Sequence, residues 1–474
     1  MTIRRETEIA KKAPPPPELP KYKEVPANEI SFFGMTNFKA TLQEKRFIFG
    51  IKRADRRRHV YVIGKSGSGK TKLLELLIRA DIWYNQGVCV IDPHGDLINN
   101  LLDTIPEKRV KDTVLIDPSD TKFPISFNPL ANIKNDEKYT VAQGLIEVMK
   151  KQFGSNWTSR LEHVFRFVCL AMLDYPEATL NGMIKLLTDR AYRQDVITHI
   201  EDDMVKRFWA IEFADWSERF DNEAIIPLLN KLSEVLSNPL LRNIFGQVQN
   251  KLNFEEIMNT QKILLINLSK GKLGEENANF FGSMFITKIH QAGMARAYIP
   301  EDKRSDFYIY IDEFQNFITN TFSNLFSESR KYGICMTVAH QYMGQLSGEI
   351  KTTIFGNVGT QIVFRVGGED AGPLASEMAP VFEAQDMINL AVREFYIKMP
   401  IDGQIHNAFS AETLPLFPPE YESSRQKIID YTRATYAIPL EKLKAQQAKE
   451  HEIPPQQKPS PEKEDGASTP EPLI

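Results

Sequence analysis

Cysteine is scarce in these 474 residues: only Cys89, Cys169 and Cys335 occur, far apart and each inside an apolar run. That spacing excludes a disulfide scaffold and a C-x-x-C metal or redox site, so they read as buried thiols in a reducing compartment. Long apolar stretches are also missing. None reaches the roughly 18 residues needed to cross a bilayer, the best candidates being broken by Arg166 or Asp174. The opening MTIRRETEIAKK is basic with no apolar run behind it, which argues against a secretory signal or membrane anchor and for a cytoplasmic chain. Neither sign of charge dominates, 58 Lys and Arg facing 62 Asp and Glu for a net −4, so any contact with nucleic acid has to come from a local basic surface. No fixed-period repeat is visible, which excludes a solenoid or propeller.

What is present fits a folded chain of two or three structural units, with 42% hydrophobic and 25% charged residues. From residue 59 onward, short unbroken apolar runs alternate with helical stretches, the pattern of strands buried on both faces of a parallel sheet. The runs are His59–Ile63, Val88–Ile91, Val114–Ile116, Ile263–Leu268, Phe307–Ile311, Ile334–Ala339, Gln361–Val366 and Phe395–Met399, with a helix ending at Gly87 between the first two. Residues 131–255 are instead rich in helix-period patterns. Leu161, Val164, Phe165, Val168 and Met172 fall on one helical face, and the segment is expected to be an all-helical insertion. The expected organisation is therefore an α/β sheet domain over 45–130 and 256–415, the insertion at 131–255 and a helical extension at 416–444. An extended or disordered segment covers 1–44, and a disordered Pro-, Gln-, Glu- and Lys-rich tail covers 445–474.

The chemistry is concentrated at the ends of these runs. Gly64-Lys65-Ser66-Gly67-Ser68-Gly69-Lys70-Thr71 matches G-x-x-x-x-G-K-[ST] and sits between a strand and helix-forming KLLELLIRA, as a phosphate-binding loop requires. The glycines let backbone N–H groups and the helix N-terminus face phosphates. Lys70 then contacts the β and γ phosphates and Thr71 holds Mg²⁺, which makes ATP with Mg²⁺ the expected ligand. Phe307–Ile311 ends in Asp312-Glu313, giving a Mg²⁺-side carboxylate in Asp312 and a water-polarising one in Glu313. Gln341 follows the strand ending at His340 and is placed to sense the γ-phosphate and the attacking water. Arg330 precedes that strand in Ser-Arg-Lys-Tyr-Gly and is a candidate arginine finger donated by a neighbouring subunit, with an ordinary surface arginine as the alternative. Arg365, a charge within an apolar run, is a weaker candidate that a buried ion pair explains equally well. Asp92-Pro93-His94-Gly95-Asp96 is expected beside the nucleotide crevice, Asp117-Pro118-Ser119-Asp120 is a turn, and Arg53, Arg56, Arg57 and Arg58 read as a solvated approach to the sheet.

Taken together, HVYVIGKSGSGKT, IDPHGDL, FYIYIDEFQNF, ESRKYGICMTVAHQY and QIVFRVGGEDA resemble the conjugative coupling proteins of type IV secretion, TraG/TraD-like ATPases of the HerA/FtsK superfamily. The resemblance spans about 45–415 and implies a RecA-like P-loop motor with a wide, mostly parallel sheet and an inserted all-α domain. It implies a hexameric ring that binds and pumps DNA using ATP, serving a relaxase or secretion-channel partner. Lys70 and Thr71, Asp312 and Glu313, Gln341 and Arg330 match the P-loop pair, the acidic pair, the polar sensor and the trans finger. Many such proteins open with two membrane-spanning helices, which this sequence does not show, so membrane attachment is expected through a partner. A HerA-like DNA-processing ATPase, a secretion-assembly ATPase and a nucleotide-switched adaptor with negligible hydrolysis are the alternatives.

Overall fold

A computed structural model describes residues 10–41, 45–215 and 225–450. The outermost ends expected to be unfolded, 1–9 and 451–474, lie outside the described residues.

The core is one sheet of eleven strands. In chain order they are β1 (Ile30–Thr36), β2 (Ile48–Lys52), β3 (Val60–Ile63), β4 (Gly87–Asp92), β5 (Thr113–Ile116), β6 (Ile263–Asn267), β7 (Phe307–Ile311), β8 (Ile334–His340), β9 (Thr360–Val363) and β10 (Glu394–Lys398). After a small hairpin, β11 (Pro400–Ile401) and β12 (Gln404–Ile405), β13 (Phe409–Thr413) completes it. The spatial order is β2-β1-β13-β10-β9-β3-β8-β7-β4-β6-β5. Strands β3 to β9 pair parallel with one another, whereas β1, β2, β10 and β13 add an antiparallel flank. All eight apolar runs become strands, because a strand covered on both faces needs no polar residue and reads as continuous hydrophobicity. Val60 and Val62 face one core layer and Tyr61 and Ile63 the other, so both faces of the sheet are packed.

Between β5 and β6 the described residues form helices and no strand. Helix Ser159–Asp174 buries the face expected of it, Leu161, Val164, Phe165, Val168 and Met172, under a Thr158 N-cap. All three cysteines are buried and free, and the Asp117 turn is closed by its carboxylate accepting from Ser119.

Several expectations are corrected. Residues 30–36 are not loose chain but strand β1, pairing with β2 and β13. Residues 11–13 lie against the sheet: Ala13 N–H donates to Ser410 Oγ at 3.0 Å and Tyr396 OH to the Lys11 carbonyl at 2.8 Å. The tail boundary at 445 also falls inside a helix, Leu440–Glu450, which follows helix Arg425–Tyr436. The helix after the phosphate-binding loop spans Lys70–Trp83 and stops before Gly87, which opens β4; a Cβ there would meet the Phe307 ring at 2.7 Å.

The largest departure concerns the arginine cluster. Arg53 and Arg56 are not a solvated approach but buried, both ion-paired with Asp81 of the Lys70–Trp83 helix, while Arg57 reaches Asp306. Arg56 donates to Asp81 at 2.8 and 2.9 Å, to Ser31 Oγ at 2.9 Å and to Tyr310 OH at 2.6 Å; Tyr310 OH donates to Asp81 at 2.5 Å. This network ties β1, the phosphate-loop helix and β7 together through direct hydrogen bonds. Removing one member leaves a buried charge unmatched. Asp81→Ala should therefore lower the unfolding free energy by about 3–5 kcal/mol, read from urea denaturation.

Candidate nucleotide site

The parallel strands end along one edge, and their order decides what meets there. β8 lies between β3, which leads into the Gly64–Thr71 loop, and β7, which leads into Asp312 and Glu313. Gln341, just beyond β8, is thus delivered between the loop and the acidic pair.

The loop is shaped by local backbone demands. Gly67 and Gly69 adopt φ of +74° and +121°, conformations that side chains rarely take. Lys65 N–H donates to the Arg365 carbonyl at 2.8 Å, and the Ser68 carbonyl accepts from Arg393 N–H at 2.9 Å, so the loop is clasped by the segments after β9 and before β10. Arg365 falls just past β9 rather than inside it, and its carbonyl is what the loop uses. The Lys70 ammonium folds back on the Gly64 carbonyl at 2.6 Å. Burial pushes it below its ordinary pKa, with Glu313 and Asp312 opposing.

Across the crevice, Thr71 Oγ1 donates to Asp312 Oδ2 at 3.2 Å. Burial, then Glu313 and Asp92, raise Asp312 to about 6 against the pull of Lys70. Asp92 itself caps the next helix, accepting from His94 and Ile98 N–H at 2.9 and 3.1 Å, so the Asp92–Asp96 turn supports the crevice floor. Glu313 sits in the left-handed region, φ 47° and ψ 48°, a conformation that is uncommon for a side-chain-bearing residue. Its carboxylate is held from two sides, by Gln341 Nε2 at 3.0 Å and Gln315 Nε2 at 2.8 Å. Below it, His340 is driven to about 3 by burial and by Lys70, so it is neutral, and it pairs with Tyr61 OH at 2.6 Å.

Lys65 to Thr71, Asp312, Glu313 and Gln341 are thus brought to one place; Arg330 is not. It is exposed on the turn Ser329–Tyr332, before β8, at the amino edge of the sheet and away from its own phosphate loop. Sequence reasoning missed Gln315, Asn316 and Arg393. The first two lie in the quoted DEFQN run, where the signal was available. It also missed Lys151, whose ammonium donates to the Asn316 carbonyl at 2.5 Å and Ser283 Oγ at 3.3 Å, while Lys270 donates to Asn316 Oδ1 at 3.0 Å. Asn316 Nδ2 donates in turn to the Glu313 carbonyl at 2.8 Å. A chain of hydrogen bonds therefore runs from helix Lys138–Phe153 of the helical part to the acidic pair.

With this geometry established, comparison identifies the chain. The model of the type IV secretion-system coupling protein DNA-binding domain matches residues 49–392. The chain belongs to that family. A search of the curated proteins finds no significant match. Among solved structures it resembles the bacterial conjugative coupling protein TrwBdeltaN70, at 14% identity and TM-score 0.57, covering 79% of this chain and 88% of that one. TrwB in complex with the non-hydrolysable ATP analogue ADPNP is similar at 15% identity and TM-score 0.57, covering 79% and 89%. VirB4 of Thermoanaerobacter pseudethanolicus follows at 13% identity and TM-score 0.52, covering 78% and 94%. The fold is that of a RecA-like P-loop NTPase with an all-α domain, as expected of a coupling protein.

The residues present fit a nucleoside triphosphate. Ser68 Oγ is buried without a hydrogen-bond partner, a Cβ on Gly67 would meet nothing within 4 Å, and the loop opens a 14-residue helix whose first N–H groups lack intrahelical acceptors. They also fit Mg²⁺ in the usual way for such sites. Thr71 and Asp312 supply two oxygens, and no cluster of three His, Cys, Asp or Glu exists among the described residues to cage a metal alone.

The raised Asp312 carries a pH signature. Its folded pKa of about 6 exceeds the unfolded value, so the native state loses stability as pH rises from about 4 through 6. Without metal or nucleotide, Asp312→Asn should be more stable than wild type at pH 8 by about 2–3 kcal/mol, the gain vanishing below pH 4. Urea denaturation across pH measures it.

Proposed function

We propose that this chain is an ATP-hydrolysing motor that binds and moves DNA, working as a ring of copies. The reading is carried by one observation: Lys70 and Thr71, Asp312, Glu313 and Gln341 converge from three strands at one sheet edge, with Thr71 and Asp312 already hydrogen-bonded. An adaptor that only binds nucleotide has no need of a second, positioned carboxylate.

Bound ATP with Mg²⁺ supplies the scissile phosphoanhydride and the charge neutralisation at its leaving group. The protein's part follows from its geometry. Lys70 exchanges its bonds to the loop's own carbonyls for phosphate oxygens. Thr71 and Asp312 would hold the metal, for which Asp312 must be ionised. Glu313, aimed by Gln315 and Gln341, orients the attacking water and takes its proton. Gln341 shares its amide between Glu313 and the crevice, so it registers whether the γ-phosphate is in place. Arg330 faces away from its own crevice and is assigned to that of a neighbouring copy, which supports an assembly in which sites are completed between subunits. Lys151 and Asn316 connect the acidic pair to the helical part, the portion assigned to DNA or a relaxase or secretion partner. Among the described residues no helix is long and apolar enough to cross a membrane.

ATP turnover measured with and without single- or double-stranded DNA tests this. Turnover should rise with DNA, and Lys70→Ala or Glu313→Gln should cut it by about 10²–10⁴. Turnover indifferent to every DNA offered would favour a secretion-assembly ATPase instead. Lys151→Met should abolish about five-fold or more of DNA stimulation while leaving the basal rate nearly unchanged. Arg330→Ala should be inactive alone but regain activity when mixed with Lys70→Ala, since each spoils a different half of a shared site.

A further inference from the structure

Six lysine or arginine side chains are buried among the described residues: Arg53, Arg56, Lys70, Arg109, Lys288 and Arg296. Five are matched. Arg53 and Arg56 meet Asp81, Lys70 its loop carbonyls, Arg109 the Asp112 carboxylate and two backbone carbonyls, and Arg296 the Asn259 side chain and three backbone carbonyls. Lys288, only 9% exposed on helix Glu275–Ala295, makes no hydrogen bond or ion pair. An amine this sheltered and without a protein partner costs stability unless a ligand or solvent reaches it.

Lys288 lines a cavity of about 530 Å³. Its walls are the outgoing connection to the helical part (residues 127–141), the returning connection (residues 250–255) and the Lys288–Tyr298 end of the sheet-covering helix. Phe127, Val141, Leu252, Phe254 and Ala292 give it an apolar wall, facing polar and charged groups on the rest of the lining. The charges at its mouth are already engaged. Lys134 bridges Glu137 at 3.1 Å and Glu255 at 3.3 Å, Tyr298 donates to Asp136 at 3.0 Å, and Lys251 donates to the Ala437 carbonyl at 3.0 Å. Glu137 faces Lys288 electrostatically but is held by Lys134. Lys288 is therefore the one basic side chain of the lining without a hydrogen-bond partner, in a space of the size that takes small molecules.

We propose that this cavity binds a small monocarboxylate with an apolar body, its acid group on Lys288 Nζ and its body against Phe127, Leu252 and Phe254. A single lysine behind three mouth carboxylates suits a monoanion and disfavours a phosphate dianion. Because the ligand touches both connections and the sheet-covering helix, it fixes how the helical part sits on the motor, independently of the nucleotide crevice. Burial lowers the Lys288 amine to about 7, with Glu137 opposing, so a bound carboxylate draws a proton onto it.

Calorimetric titration of the full chain with decanoate, with decanol as the uncharged control, tests the site. Decanoate should bind once per chain, taking up close to one proton at pH 8 as judged from phosphate and Tris buffers. Decanol, Lys288→Met and the cavity-filling Ala292→Trp should each weaken binding by about ten-fold or more. Lys288→Met should also raise the melting temperature, since it removes a sheltered amine that has no hydrogen-bond partner. No uptake of decanoate by the wild type, equal uptake by Lys288→Met or Ala292→Trp, or decanol bound as tightly, would overturn the proposal.

Discussion

The hydrogen bond from Thr71 to Asp312 joins residues 241 positions apart, and the rest of the molecule serves to hold it. Neither residue could find the other through local structure. They meet because β3, β8 and β7 are parallel neighbours in fixed register, Ile63 beside His340 and Ile311 beside Val338. A slip of one residue would turn every side chain of a strand to the opposite face and bury the polar ends in the core. The apolar layers on both faces therefore act as the ruler that sets the distance between the phosphate loop and the acidic pair. The Asp81 network pins the far end of the same helix to β7, so the helix that carries Lys70 and the strand that leads to Asp312 are fixed at two points.

This rigidity makes the few unsettled features informative. Glu313 sits in a left-handed backbone conformation, and Gln341 and Gln315 each hold one of its two carboxylate oxygens. Such a group can change partners without moving the sheet. A polar path leaving it, through Asn316 to Lys151, ends on the helical part. The motor and its helical part share one apolar core cluster but no strand, and this polar path runs beside that packing.

The central sheet and its site were legible because both have local signatures. Doubly buried parallel strands show as unbroken apolar runs, and a phosphate loop shows as glycines at fixed spacing between a strand and a helix. Of the antiparallel flank only β10 was legible. β1 and β2 mix buried and half-buried residues without a regular alternation, beside proline- and lysine-rich chain, and β13 is a short mixed run, FSAET. Arg53 and Arg56 looked like surface charges because their burial depends on Asp81, 28 and 25 positions on, and on Tyr310 far beyond. Lys151 drew no notice in the sequence for the same reason, its partners Asn316 and Ser283 lying more than a hundred positions on. Buried charge is set by long-range partners, which a pattern of neighbours does not carry.

The central claim is that the Gly64–Thr71 loop grips a nucleoside triphosphate with its main-chain amides and Lys70. Calorimetric titration of ATP and Mg²⁺ into a hydrolysis-defective Glu313→Gln chain measures this grip most directly. One ATP per chain, lost in the Glu313→Gln, Lys70→Ala double variant, is the predicted result. No uptake by well-folded protein would contradict the account.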